Sequence, residues 1–403
     1  MMAAGIAGRS RPKAIPDQGA LVEVEQRFRA QLSPLRLFPG AALAVYLDGR
    51  LALDLAGGFA DTQRGEAVGP GTLFPLFSGT KPFAAVALWQ QIERGRLDLD
   101  DPVAAHWPAF GDNGKAGVEA RHILTHRGGF PSTPSALTPA RWDDWEGATR
   151  AIAAMPLESA PGAVSAYHFL TAHWVCGELV RRLDGRPFDV YLLEEVTGPL
   201  GLADTFVGLP AVHEHRVVKL HATDGADAWG LDALRSMRDL PLHRMVVPGA
   251  SGVSTARDMA RFYAAIAAGG AIDGGRILKT ETVDRMLAVE TDGDLDATFD
   301  APVRRGFGFE LGGLADERRH WPGASSTAQT FWHGGLGSSV CWGDRDSGLT
   351  MAFLANGVRR DADSAIARRD LSDSVRARLG PMARRPTEIA GATRSTDRVR
   401  GRA

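Results

Sequence analysis

Two hairpin signals, one near each end of the chain, constrain the fold more than any other feature. Asp48-Gly49 separates the apolar runs 41–47 and 50–57, and an Asp-Gly pair between such runs is a strong signal for a two-residue hairpin turn. Near the other end, TFWHGGLGSSVCWGDR and SGLTMAFLANG flank the turn-like stretch Asp344–Gly348, which predicts a second hairpin. What lies between them reads mainly as helix. PFAAVALWQQIER (82–94) is almost wholly apolar, as a buried helix would be. RHILTHR, AHWVCGELVRRL and FDVYLLEEV follow at helical spacing, and DMARFYAAIAAGG stops at Gly269-Gly270. Strands and helices do not alternate as βαβ units. The pattern predicts an α+β fold, with an antiparallel sheet built from both chain ends, flanking helices, and an inserted mainly helical domain.

The expected organisation follows. Residues 1–18 form a flexible leader, and 18–34 an amphipathic helix marked by Leu21, Val24, Phe28 and Leu32. Segments 19–94 and 251–380 make the sheet domain, with a helix at about 362–379. Segment 95–250 makes the helical domain, and 381–403 a disordered basic tail.

Composition narrows the function. A net charge of −2 over 403 residues offers no positive field for a polyanion, which argues against nucleic-acid binding. No run reaches 18 apolar residues, so no membrane span is expected. MMAAGIAGRSRPKAIPDQGA has no apolar core of signal-peptide length, which predicts a cytoplasmic protein. Cys176 and Cys341 stand in apolar company without zinc-site spacing and read as buried free thiols. Neither a metal nor a cofactor is expected, and oligomeric state is open.

Three segments can carry chemistry. Ser78-Gly79-Thr80-Lys81 precedes the apolar helix and holds one of only five lysines. Residues three apart share a helix face, so the amine can reach the hydroxyl. A serine needs a base to become nucleophilic, and burial can make a lysine that base by disfavouring its charge. The helix start also points N–H groups at a developing oxyanion, and Pro82 fits only its first turn. An N-capping serine with a surface lysine would look the same. Tyr167, in PGAVSAYHFLTAHW, opens a helix; it reads either as a core tyrosine or as a proton relay. His333-Gly334-Gly335-Leu336 reads either as a bulge or as a strand that another group approaches closely.

Together and in this order, the three segments resemble the serine β-lactamase and penicillin-binding-protein superfamily, most of all class C β-lactamases and their family VIII carboxylesterase relatives. GRLDLDDPVAAHWP, ARHILTHRGGFP, GPLGLADT and GASGVSTARDMARFYAAIAAGG extend the resemblance over about residues 20–380. It implies a β-lactamase/transpeptidase-like fold. Ser78 would be the acylated nucleophile, Lys81 its base, and Tyr167 the proton relay. The backbone N–H groups of Ser78 and Leu336 would form the oxyanion hole. His333, Gly334, Gly335 and His168 would face the substrate, and Trp229 could line an acyl pocket. Two departures matter. The family's Tyr-x-Asn is Tyr167-His168-Phe169 here, and its Lys-Thr-Gly is His333-Gly334-Gly335. The amide, the fixed cation and the hydroxyl that grip a β-lactam are absent. The expectation is therefore a serine carboxylesterase acting on small to medium acyl esters. Acyl transfer, β-lactam or D-amino-acid peptide hydrolysis, and a silent binding module are the alternatives.

Other signals weigh less. His122 and His126 lie four apart on an expected helix, but no Glu follows His122 as a metalloprotease base. No Gly-x-Ser-x-Gly elbow occurs.

Overall fold

The computed structural model describes residues 18–32, 37–133, 141–222, 240–314, 322–358 and 362–380. The expected leader before Gln18, the tail after Gly380, and Trp229 lie outside the described residues.

The first hairpin forms as read. Strand β1 (Gly40–Leu47) turns through Asp48 and Gly49, both at positive φ, into β2 (Arg50–Asp61). Two consecutive positive-φ residues match the right-handed twist of the flanking strands. A short β3 (Glu66–Ala67) adds to β2. The remaining strands of the sheet come from the C-terminal part: β4 (Thr291–Asp296), β5 (Ala301–Arg305), β6 (Glu310–Leu311), β7 (Thr330–Gly335), β8 (Ser339–Asp344) and β9 (Leu349–Ala355). Their order is β3-β2-β1-β9-β8-β7-β6-β5-β4, with every neighbour antiparallel.

The second hairpin departs from its expected form. TFWHGGLGSSVCWGDR is not one strand. It breaks after Gly335, with Leu336 and Gly337 at positive φ and the Ser338 N–H donating to the Gly335 carbonyl at 2.8 Å. The C-terminal unit is therefore a three-stranded meander, and the glycines at 334, 335 and 337 mark the extra turn.

Strand β1 is buried on both faces, and its side chains alternate between two cores. Ala42, Ala44 and Tyr46 join the larger one. That core also takes in the buried residues of α2 (Lys81–Glu93), α3 (Thr171–Asp184) and α4 (Ala256–Ala267), of which α4 packs directly on β1. Ala41, Leu43, Val45 and Leu47 face the smaller core, covered by Val24 and Phe28 of α1 (Gln18–Ala30) and by Leu371, Val375 and Leu379 of α5 (Ala362–Leu379). A central strand so placed reads as a continuous apolar run rather than an alternation. Both cysteines are free and buried, and burial pushes the Cys176 thiol up to about 12. No helix among the described residues is long and apolar enough to cross a membrane.

Candidate active site

The site forms where a tight 3₁₀ turn (Phe77–Thr80) feeds α2, under the end of β7. Pro82 lies in the first turn of α2, as its missing N–H requires. That turn sets Ser78 half-buried, one helical step from Lys81. The Lys81 side chain is fully buried. Its Nζ lies 3.0 Å from Ser78 Oγ and donates to the carbonyls of Phe169 (2.8 Å) and Gly249 (2.9 Å). Burial alone pulls its pKa down to about 7.

The consequence is chemical. The ammonium form has three donors and can spend all three on these contacts. The neutral amine keeps two N–H groups for the two carbonyls. Its lone pair is then left facing the Ser78 hydroxyl, the arrangement a base needs.

Tyr167 is 4% exposed, and its ring centroid lies 5.1 Å from Lys81 Nζ. It does not sit at a helix N-terminus as expected; α3 begins later, at Thr171. Its segment is instead pinned from two sides. The Tyr167 N–H donates to Asp296 Oδ1 at 3.3 Å, and its carbonyl accepts from Thr298 Oγ1 at 3.1 Å.

Gly335 explains why this strand ends in glycines. A Cβ built there would stand 2.0 Å from the Leu76 carbonyl, so only glycine lets β7 approach the nucleophile turn. Ser78 is the second residue of that turn, so the helix itself supplies no acceptor for its N–H. Leu336 follows directly on β7. Leu336 (φ 35°) and Phe77 (φ 48°) hold left-handed conformations that cost a non-glycine residue about 1–3 kcal/mol each. Strain of that size is concentrated next to Ser78 and at Leu336, the two residues whose N–H groups are expected to face an oxyanion.

His333 is 6% exposed, and its ring stands 6.3 Å from that of Tyr167. Its Nδ1 lies 2.8 Å from the Gly334 carbonyl, which can only accept and so fixes the proton on Nδ1 in the neutral ring. His168, expected beside the substrate, points inward. It is 2% exposed, packs on Phe130 at 4.7 Å, and burial lowers its pKa to about 4. Phe169 reaches the surface instead, 38% exposed, edge-on to Phe299 at 6.3 Å.

The reading of His122 and His126 as residues on one helix face fails. The helix Ala120–Leu124 ends before His126, which has φ 59°. His122 Nδ1 accepts the Glu119 N–H and caps that helix. His126 turns to the site, its ring 4.5 Å from that of Tyr167 and tilted 37° to it, with Nδ1 accepting the His168 N–H at 3.1 Å. No His, Cys, Asp or Glu group of three or more among the described residues is arranged to hold a metal.

Sequence reasoning missed Asp296, Arg305 and Phe299, and placed His126 on a helix rather than beside Tyr167. Arg305 is 1% exposed and bridges Asp296 Oδ2 (2.7 Å), Glu310 Oε1 (2.9 Å) and Ser165 Oγ (2.9 Å).

The sequence matches the beta-lactamase family over residues 28–374, and the chain belongs to that family. It is 31% identical over 351 residues to the esterase/beta-lactamase LipL of Mycobacterium tuberculosis, a match covering 81% of this chain and 79% of LipL. Among solved structures it is similar to a penicillin-binding-protein homologue from Caulobacter crescentus, with TM-score 0.77, 30% identity, and 90% of this chain and 99% of that one covered. A family VIII carboxylesterase also superimposes with TM-score 0.77 at 26% identity, covering 89% and 98%. The fold is β-lactamase/transpeptidase-like, and the chain is a serine hydrolase of this family.

Proposed function

We propose that this protein is a carboxylesterase that forms an acyl-enzyme on Ser78. The observation that carries the reading is the buried Lys81 amine, its pKa near 7 and its nitrogen 3.0 Å from Ser78 Oγ. In acylation, neutral Lys81 takes the Ser78 proton as Oγ attacks the ester carbonyl. The N–H groups of Ser78 and Leu336 receive the oxyanion. Tyr167 passes the proton to the leaving alcohol, and the same pair then activates the water that releases the acid.

The apolar character of the mouth supports an uncharged ester over an anionic β-lactam. Phe169 stands where the family's amide would be, and its ring is presented to solvent beside Phe299. His333 brings an imidazole rather than a fixed cation to β7. An esterase activity is named for two relatives: LipL is called an esterase/beta-lactamase, and EstB of Burkholderia gladioli, 31% identical over 186 residues (42% of this chain, 47% of EstB), an esterase.

The test compares two substrates on the purified protein. The kcat/KM for p-nitrophenyl butyrate is expected to exceed that for a chromogenic cephalosporin by at least about 100-fold, the scale on which unmatched polar recognition groups discriminate. Equal or faster cephalosporin turnover would overturn the ester assignment in favour of a β-lactamase.

A further inference from the structure

The mechanism proposed above uses Ser78, Lys81 and Tyr167, and leaves a buried ion triad behind them without a task. Arg305 on β5, Asp296 at the end of β4, and Glu310 on β6 are 1%, 0% and 5% exposed. Replacing such a triad by apolar side chains is usually neutral or stabilising, so stability alone is a poor account of it.

Its contacts point to the tyrosine. Asp296 divides its two oxygens between two jobs. Oδ2 receives Arg305 Nη1 at 2.7 Å. Oδ1 receives the backbone N–H of Tyr167 at 3.3 Å, of Thr298 at 3.0 Å and of Phe299 at 3.2 Å. Arg305 Nη1 also donates to Ser165 Oγ, two residues before Tyr167, at 2.9 Å. The guanidinium carbon itself lies 5.8 Å from the Tyr167 ring centroid, and Lys81 Nζ lies 5.1 Å from it. The Arg305 guanidinium and the Lys81 amine therefore both stand near one buried phenol ring.

We infer that Arg305 is a positioning residue that holds Tyr167 beside Lys81 and, through its buried charge, biases the Tyr167–Lys81 pair toward the deprotonated form that acts as base. The inference rests on the proposed roles of Ser78, Lys81 and Tyr167. The other groups packed about Tyr167 do not supply this charge. His126, from the loop after the Ala120–Leu124 helix, and His333, from β7, pack on Tyr167 itself, while His168, from Tyr167's own segment, and His173, from α3, pack on His126. Burial holds the His126, His168 and His173 imidazoles well below their ordinary range, and Asp296 and Glu310 are anions. Among these groups the lasting positive charge is that of Arg305. The sign is the same whichever of Tyr167 and Lys81 holds the proton. Removing a nearby cation raises the pair's apparent pKa, and removing a nearby anion lowers it.

The experiment is the pH profile of kcat/KM for p-nitrophenyl butyrate, whose acid limb reports the free enzyme's base. Arg305→Gln is expected to move that limb upward by about two pH units, as a charge 5–6 Å away does at an effective dielectric of about 20. Glu310→Gln keeps an oxygen acceptor for Arg305 Nε, removes an anion, and is expected to move the limb downward, opposite to Arg305→Gln. Arg305→Lys keeps the charge but cannot span both carboxylates; its limb is expected at the wild-type position with a lowered kcat. A merely structural role would lower rates without moving the limb. Unmoved limbs in Arg305→Gln and Glu310→Gln, or shifts in the same direction, would overturn the inference. If Arg305→Gln does not fold, the direction in Glu310→Gln decides alone. Ser78→Ala, run alongside, separates the two levels. Activity retained in Ser78→Ala refutes the site assignment, whereas an inactive Ser78→Ala with unmoved limbs refutes only the role of Arg305.

Discussion

Lys81→Met is expected to lower kcat/KM for p-nitrophenyl butyrate by about 10³-fold or more, within the range that loss of a positioned general base causes. Methionine matches the length and apolar stem of the lysine, so the loss isolates the amine. The same substitution makes an unusual stability prediction. Lowering a pKa from 10.5 to about 7 corresponds to about 5 kcal/mol against the folded state at acidic to neutral pH. The direction follows from linkage. Below pH 7 both folded and unfolded lysine are charged, and the full penalty applies. Between pH 7 and 10.5 the unfolded chain holds more protons, so stability rises with pH. The methionine variant escapes that penalty but leaves the Phe169 and Gly249 carbonyls without their donor, at about 1–3 kcal/mol each. These terms nearly cancel. The variant should therefore match the wild-type Tm near pH 7 to within a few degrees, and lose the wild type's gain in Tm between pH 7 and 9. Thermal melts at both pH values, beside the activity assay, check both halves. A variant that is inactive because it unfolds would show a collapsed Tm at both.

Gly335→Ala carries the second large effect. The added methyl carbon would meet the Leu76 carbonyl at 2.0 Å and Ser339 Oγ at 2.8 Å. The first is backbone, so β7 has to move away from the nucleophile turn. Overpacking of this kind costs about 1–3 kcal/mol of stability. The catalytic cost is larger. The Leu336 N–H, next along the chain and the proposed oxyanion donor, would be displaced with it, and losing one such donor lowers kcat about 10²–10³-fold. KM for the ester should change little, because the ground-state carbonyl binds more weakly than the oxyanion. Steady-state kinetics with far-ultraviolet circular dichroism tests this. A wild-type kcat would place the oxyanion donors elsewhere.

What the sequence revealed, and what it hid, follows from how local each signal is. The Asp48-Gly49 hairpin and the apolar α2 are written in contiguous residues. Ser78 and Lys81 meet because they are three apart on one turn. Tyr167 reaches them only through the fold, and the family pattern rather than the spacing pointed to it. Strands β4 and β5 were missed for a physical reason. TDGDLD at the sheet edge exposes four consecutive residues, and edge strands carry charge that hides their periodicity. Asp296 and Arg305 went unseen with them. The break at Leu336 was missed because Gly334-Gly335 was read as a bulge or a close approach within one strand, although Gly337-Ser338 just beyond also interrupts the apolar run. His126 was misread because the helix was extended past Leu124, although Gly128-Gly129 just beyond it signals an early end.

The most direct test of the central claim is to trap the acyl-enzyme. Wild-type protein mixed with p-nitrophenyl butyrate, quenched in acid and digested, is expected to carry one butyryl group on the peptide containing Ser78. The Ser78→Ala variant is expected to carry none and to release p-nitrophenol no faster than buffer. A butyryl group on another residue, or undiminished hydrolysis by Ser78→Ala, would contradict the account.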